Sequence, residues 1–185
     1  MQAAFDAWWP AAADVLAPDA GQDLRVLADR CGIKEKDGVI LEILMARSKC
    51  SWSAGTVAAL GTPITTVATQ FGITSAAGRV QLEFRAIGRG AKYDNPLPPA
   101  GQAVHDGENV NDVALRFGIT TWPGTIQLEQ AAADSNDPRA ARHAIRNGEP
   151  YQTAARRFGI TDEMNLYNLK RVEAFARAGV DMDQG

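Results

Sequence analysis

Histidine and cysteine, the side chains that most often carry catalysis or bind transition metals, are scarce in this chain. Its 185 residues contain two histidines, His105 and His143, and two cysteines, Cys31 and Cys50. Two histidines with no third ligand beside them do not make a zinc site, and two cysteines are too few for a disulfide framework. No serine, histidine and aspartate stand in a context typical of a hydrolytic triad. The sequence therefore predicts a protein that is not an enzyme, with no catalytic residue, metal site, cofactor or small-molecule substrate.

Arginine and lysine are the remaining candidates, because they bind phosphate groups. The formal net charge of the chain is −3, but its charges are unevenly distributed. Residues 137–178 carry eight Lys and Arg side chains against five Asp and Glu, whereas residues 99–136 carry one against five. A protein that coats nucleic acid along its whole length would be more basic than this. Any contact with nucleic acid is therefore expected in only part of the chain.

Three segments of the chain align with one another without a gap. They are GTPITTVATQFGITSAAGRVQLE from Gly61, GENVNDVALRFGITTWPGTIQLE from Gly107 and GEPYQTAARRFGITDEMNLYNLK from Gly148. A more divergent segment, GQDLRVLADRCGIKEKDGVILEI from Gly21, fits the same frame. We name these segments, in chain order, the first to fourth copies. A repeat of this kind is typical of proteins built from tandem supersecondary units.

The positions that agree between copies have a consistent structural interpretation. A phenylalanine, replaced by Cys31 in the first copy, lies four residues after an apolar residue, so the two share a buried helix face. The glycine after it predicts a sharp bend with positive φ, the next isoleucine is predicted to be buried, and the following threonine is a predicted N-cap. In the second to fourth copies these positions are Phe71, Phe117 and Phe158; Gly72, Gly118 and Gly159, with Gly32 in the first copy; Ile73, Ile119 and Ile160; and Thr74, Thr120 and Thr161.

A further short helix is predicted before each opening glycine, with Pro99 and Pro138 at two of the starts, where proline is tolerated. Each copy then belongs to a three-helix unit too small for a large core of its own, so it gains stability by packing on its neighbours. The predicted fold is all-α, with four tandem three-helix (helix-turn-helix-like) repeats arranged as two pairs. The predicted boundaries are 1–49 for the diverged first repeat, 50–90 for the second, 91–98 for a linker, 99–133 for the third, 138–180 for the fourth and 181–185 for a tail.

The core of each copy resembles the helix-turn-helix units of bacterial transposases, recombinases and sigma factors. The resemblance rests on VNDVALRFGIT (110–120), YQTAARRFGIT (151–161) and ITTVATQFGIT (64–74), in which an alanine, an apolar residue, a glycine and an isoleucine fall at that family's spacing. It covers less than half of the chain. It implies a nucleic-acid-binding regulator, for example of transcription, in which only some units contact double-stranded DNA and the helix after GIT enters the major groove.

The resemblance also implies which residues would contact DNA. On the helix after GIT, Arg79 and Asn165 are of the types that read guanine and adenine. Arg156 and Arg157 lie on the preceding helix, which in this family runs over the phosphate backbone. An alternative is that the arginines of the fourth copy form a solvated face with nearby glutamates. The full set of predicted DNA contacts is Arg79, Arg139, Arg142, Arg146, Arg156, Arg157, Asn165, Lys170 and Arg171.

The sequence leaves a second function open, that of a non-enzymatic tandem-repeat scaffold or adaptor whose partner is a protein. Such a protein would be a component of a bacterial or phage complex, or a secreted effector. Trp8, Trp9 and Trp122 are its candidate partner-binding residues, because a tryptophan either seals a junction within the protein or anchors a partner. Trp122 aligns with Ala76 and Glu163, which suit a solvent-facing position.

No membrane partner is expected, because the chain lacks a run of about eighteen apolar residues. The N-terminal stretch MQAAFDAWWPAAADVLAP has no basic leader, and Asp6 and Asp14 interrupt its apolar part. A secretory signal is therefore not expected, and the sequence predicts a cytoplasmic location.

Overall fold

The computed structural model of this protein describes residues 35–47, 53–88 and 97–180. This part of the chain consists of ten helices and contains no strand, so the all-α prediction is confirmed for it. None of these helices has the length and apolar content needed to span a membrane. In chain order the helices are α1 (Glu35–Arg47), α2 (Ala54–Ala59), α3 (Ile64–Gln70), α4 (Ala76–Ile87), α5 (Pro99–His105), α6 (Val110–Phe117), α7 (Trp122–Asp134), α8 (Ala141–Arg146), α9 (Tyr151–Phe158) and α10 (Glu163–Arg177).

The chain divides into two compact units, Met1–Ala86 and Ile87–Gly185. The boundary lies at the end of α4, shortly before the predicted linker, of which only Leu97 and Pro98 are described. In the first unit, α2 packs against α1 and α3. In the second unit, α5, α6 and α7 pack on one another, as do α8, α9 and α10, and α7 contacts both α8 and α10. The predictions for Cys31, Cys50 and Gly32, and for Trp8 and Trp9, lie outside the described residues.

The glycine after each phenylalanine makes the predicted bend. Gly118 follows the last residue of α6 with φ +69°, and Gly159 follows the last residue of α9 with φ +73°. Gly72 has φ +66°. This left-handed conformation lets the next residue donate a hydrogen bond back into the helix: the N–H of Ile119 bonds to the carbonyl oxygen of Ala114 at 2.9 Å. The opening glycines of these three copies also have positive φ, and they are Gly61, Gly107 and Gly148.

The aligned apolar positions form the buried core, as predicted. Phe117 is buried beside Val113, which lies one helical turn earlier on α6, and Ile119 is buried just beyond the bend. Truncation of a buried phenylalanine to alanine lowers the free energy of unfolding by roughly 3–5 kcal/mol. The matching residues of the other described copies are buried too: Val67, Phe71 and Ile73, and Ala154, Phe158 and Ile160.

The predicted N-caps are wrong by one residue. Helix α7 is capped by Thr121 and not by Thr120, with the Thr121 side-chain oxygen accepting a hydrogen bond from the backbone N–H of Gly124 at 3.2 Å. Helix α10 is capped by Asp162 and not by Thr161. In α10 the difference has a physical reason, because Thr161 is engaged by a glutamate of another helix.

The two predicted proline starts have different outcomes. Helix α5 begins at Pro99, whose missing N–H would have no partner at that position. Helix α8 begins only at Ala141, so Pro138 lies in the turn before it. Helix α7 runs on to Asp134, one residue past the predicted end of the third repeat.

Candidate interaction surfaces

The N-terminus of α10 is bound by a side chain of α7. Glu129 is buried, and its carboxylate accepts hydrogen bonds from the backbone N–H of Thr161 at 2.8 Å and of Asp162 at 2.6 Å. It also accepts a hydrogen bond from the hydroxyl of Thr161 at 2.8 Å. Backbone N–H groups at the start of a helix have no partner within it, and a negative charge is favoured there. This carboxylate therefore stabilises the N-terminus of α10. We call this arrangement the glutamate joint.

Two further contacts complete the glutamate joint. The Asp162 carboxylate accepts hydrogen bonds from the backbone N–H groups of Met164 and Asn165, each at 3.1 Å, and so caps the first turn of α10. The side-chain amide of Asn165 donates to the carbonyl oxygen of Ile126 on α7 at 3.4 Å, and Asn165 is buried. The start of α10 is thus held on α7 by backbone and side-chain groups together.

The first unit contains the same arrangement between α1 and α4. Glu42 of α1 is buried and accepts the backbone N–H of Ser75 at 2.7 Å, the Ser75 hydroxyl, and the Thr74 hydroxyl at 3.1 Å. Ser75 caps α4, since its hydroxyl oxygen accepts the N–H of Gly78 at 3.0 Å. A β-carbon at Gly78 would lie only 2.9 Å from a Glu42 carboxylate oxygen, so glycine makes room for the joint.

Sequence reasoning missed these glutamates, although the sequence carried a signal for them. Each occupies the end of an aligned copy, where a Leu-Glu pair recurs as Leu128-Glu129 and, one residue earlier in the frame, as Leu41-Glu42. The pair Leu82-Glu83 occupies this position in the second copy, and Glu83 is completely buried. A glutamate that recurs beside a core leucine in several copies indicates a buried structural role. In the fourth copy the position holds Lys170, which is exposed.

The glutamate joint bears on how α10 could meet a partner. In the helix-turn-helix resemblance, the first turn of this helix faces the major groove. Here the carboxylate of Glu129 binds the backbone N–H groups of Thr161 and Asp162, just before the first turn, and Asp162 and Glu163 add negative charge. The buried side chain of Asn165, bonded to Ile126, is not presented at the surface.

The arginines of α9 differ in how they are held. Arg156 is exposed and has no ion-pair partner within the described ranges. Arg157 forms an ion pair with Glu149 at 2.7 Å, and its guanidinium lies 4.6 Å from the centre of the Phe158 ring. Arg157 is therefore partly neutralised, whereas Arg156 presents an uncompensated charge to solvent.

The arginines near α8 are bound to groups of their own unit. The side chain of Arg139 forms ion pairs with Asp137 at 2.9 Å and with Asp106 at 3.2 Å. Hydrogen bonds from this side chain, and then from the Arg139 backbone N–H, lower the pKa of Asp137 from 3.8 to about 2, while Asp137 raises the pKa of Arg139. Arg142 hydrogen-bonds to the Asp134 carbonyl oxygen at 3.4 Å.

The other predicted DNA contacts fall in separate places. Arg146 is half-buried on α8 and has an interaction partner of its own. Lys170 and Arg171 are exposed on α10, where Arg171 lies 5.9 Å from the ring centre of Phe175. Arg79 is half-buried on α4 in the first unit.

Three potential metal ligands lie together at the end of α5. One ligand atom from each of His105, Asp106 and Asp137 falls within 4.8 Å of the others, although sequence reasoning found no third ligand for His105. The Nδ1 atom of His105 is buried without a hydrogen bond. However, the guanidinium of Arg139 already neutralises both carboxylates, so their charge is compensated without a metal ion.

Several large apolar side chains are exposed in the second unit. Trp122 at the start of α7 is 76% exposed, in the solvent-facing position that its alignment with Ala76 and Glu163 indicates. Leu115 on α6 is 85% exposed, and on α10 Met164 is 67% and Tyr167 is 57% exposed. The exposure of the last three is not evident from the sequence, because an apolar residue in an amphipathic helix usually lies in the core.

Comparison with known proteins gives no relative from which a role could be inferred: no family model matches the chain, and neither the curated proteins nor the solved structures contain a match.

Proposed function

We propose that this protein is a non-enzymatic scaffold that binds other proteins through four tandem three-helix repeats arranged as two pairs. The observation that supports it best is the glutamate joint. By binding the start of α10, Glu129 attaches the group of helices α8 to α10 to the group α5 to α7. Glu42 attaches α4 to α1 in the same way. Glu129, Asp162 and Glu163 also place negative charge at the start of α10, which is unfavourable beside DNA phosphates.

The surface chemistry of the second unit supports the same proposal. Exposed Trp122 and Tyr167 are of the residue type that anchors protein interfaces, because an aromatic ring buries a large area with little loss of conformational freedom. Leu115 and Met164 add exposed apolar surface. DNA-binding faces, in contrast, are polar and strongly positive.

Double-stranded DNA remains a second candidate partner because of one feature, the basic surface of the fourth copy. Arg156, Lys170 and Arg171 are all exposed there. Side chains of this kind contact phosphates without reading sequence. In this proposal the protein acts as a regulator, with the fourth copy contacting the DNA backbone.

A titration of labelled duplex DNA separates the two candidates. Contact with several phosphates would make the affinity fall steeply between about 50 and 200 mM salt. The scaffold proposal predicts no binding, or only weak binding, even at the lower salt concentration. Tight binding that falls steeply with salt, and is weakened for all sequences by the Arg156→Ala, Arg157→Ala double variant, would instead establish the DNA candidate.

A peptide selection tests the scaffold proposal positively. A phage-displayed library of random peptides is selected against the whole chain, and the recovered peptides are then measured by fluorescence anisotropy. The proposal predicts saturable binding of particular peptides in the presence of excess duplex DNA. Recovery of no peptide with measurable affinity would contradict it.

A further inference from the structure

One face of α10 combines exposed apolar and basic side chains. Met164, Tyr167 and Lys170 follow one another at intervals of three residues, and Arg171 lies four residues after Tyr167. Side chains at these spacings are neighbours on a helix surface. Met164 and Tyr167 are both mostly exposed, and Lys170 and Arg171 are exposed as well. We call these four residues the α10 face.

The matching face of α7 is partly covered by the start of α10, since Glu129 is buried and Ile126 is half-buried. Tyr167 and Lys170 align with Ile126 and Glu129 of the third copy. The Ile126 carbonyl oxygen accepts the Asn165 amide, and Glu129 binds the backbone start of α10. This face of the third helix is therefore a docking face for another helix in the third copy.

The polarity of the docking face is reversed in the fourth copy. Glu129 is an acceptor and binds N–H and hydroxyl donors. Lys170 has an ammonium group, which can only donate, so a helix docked on the α10 face must supply acceptors. Arg171 adds a second positive charge beside it. The nearby Glu173 does not neutralise them, since it is bonded to Arg177 at 3.0 Å.

We propose that the α10 face binds an acidic amphipathic helix of a partner protein, with a carboxylate of that helix on Lys170 and an apolar side chain packed against Met164 and Tyr167. This inference rests on the proposed scaffold function and names the chemistry of its partner. Nucleic acid fits this face less well, because Asp162 and Glu163 lie at its N-terminal end and two of its four side chains are apolar.

The peptides recovered from the selection described above test the inference. They are expected to be rich in Asp and Glu, with apolar residues at helical spacing, and to become helical on binding. Tyr167→Ala should weaken their binding by about tenfold or more, as expected for an aromatic anchor. Lys170→Glu should weaken it about tenfold at low salt, and changing the paired peptide carboxylate to lysine should restore affinity for that variant.

Two matched variants serve as controls. Leu60→Ala removes an exposed apolar side chain at the end of α2, and Arg116→Glu makes the same charge change as Lys170→Glu at an exposed position on α6. Neither should change peptide affinity. Circular dichroism and thermal unfolding of each variant test that the fold is intact. All four side chains are exposed, although Arg116→Glu also removes the ion pair of Arg116 with Glu108.

Other outcomes contradict the inference in distinguishable ways. If peptides bind but are unaffected by Tyr167→Ala and Lys170→Glu, or are basic, the scaffold function stands and the assignment of the α10 face fails. If sedimentation shows dimers that Tyr167→Ala dissociates, the occupant is a second copy of this chain. If no peptide is recovered and DNA binds through Lys170 and Arg171, both proposals fail.

Discussion

The carboxylate of Glu129 accepts the backbone N–H and the hydroxyl of Thr161, each at 2.8 Å. Glu129 belongs to α7, in the triplet α5 to α7, whereas Thr161 precedes α10, in the triplet α8 to α10. Its hydrogen bonds satisfy donors that α10 cannot satisfy itself. Hydrogen bonds to a charged group contribute about 1.5–3 kcal/mol each, so the glutamate joint stabilises the packing of one triplet on the other.

Truncation of the core phenylalanine of α6 should strongly destabilise the second unit. Phe117→Ala is expected to lower the free energy of unfolding by about 3–5 kcal/mol, because it removes a buried ring and leaves a cavity. Leu115→Ala, two residues earlier but exposed, should change it by less than about 0.5 kcal/mol. Urea unfolding followed by circular dichroism measures both variants. Equal effects of the two substitutions would contradict the burial pattern of α6.

Two glycine-to-alanine changes should have opposite signs. Gly159 has φ +73°, and a β-carbon there would lie 2.8 Å from side-chain atoms of Asn109 and of Asn111. Gly159→Ala should therefore cost more than the roughly 1–2 kcal/mol of a left-handed alanine. Gly38 lies inside α1, where a β-carbon would have no atom within 4 Å, so Gly38→Ala should stabilise the helix by about 0.5–1 kcal/mol. Denaturant midpoints measure both, and destabilisation by Gly38→Ala would refute the second expectation.

The ion pair of Asp137 with Arg139 should make stability depend on pH in the acid range. The pKa of Asp137 is lowered in the folded protein, from 3.8 to about 2. Its contribution is therefore fully present above pH 3.8 and is lost as the pH falls towards 2. As the pH is lowered from 3.8 to about 2, the midpoint temperature of thermal unfolding should fall less steeply for Asp137→Asn than for the natural protein. An NMR titration that places the Asp137 pKa near 3.8 would contradict the bonded geometry.

The predictions that succeeded depended on local backbone and burial constraints. The bend at Gly118 follows from a glycine placed directly after an amphipathic helix, and the burial of Phe117 and Ile119 follows from helical spacing. Such constraints act within a few residues, so the aligned copies display them directly. The same locality explains why the all-α class could be predicted.

The candidate surfaces were harder to predict because they depend on contacts between distant segments. The N-cap prediction at Thr161 failed because its groups bond to Glu129, a residue of the preceding copy. Arg139, a predicted DNA contact, forms ion pairs with Asp106 and Asp137 that the sequence pattern does not indicate. A sequence pattern shows that a residue is polar, but not which distant partner satisfies it.

Amide hydrogen exchange at the start of α10 tests the glutamate joint most directly. The backbone N–H groups of Thr161 and Asp162 precede the first turn and have no partner in α10, so only Glu129 can protect them. We expect slow exchange at both amides in the natural protein and much faster exchange in Glu129→Ala, with Glu129→Gln between them. The backbone N–H of Asn165 is bonded to the Asp162 side chain, so it should stay protected in all three proteins and show that α10 is intact. Fast exchange at Thr161 and Asp162 in the natural protein, or rates that Glu129→Ala leaves unchanged, would contradict the account.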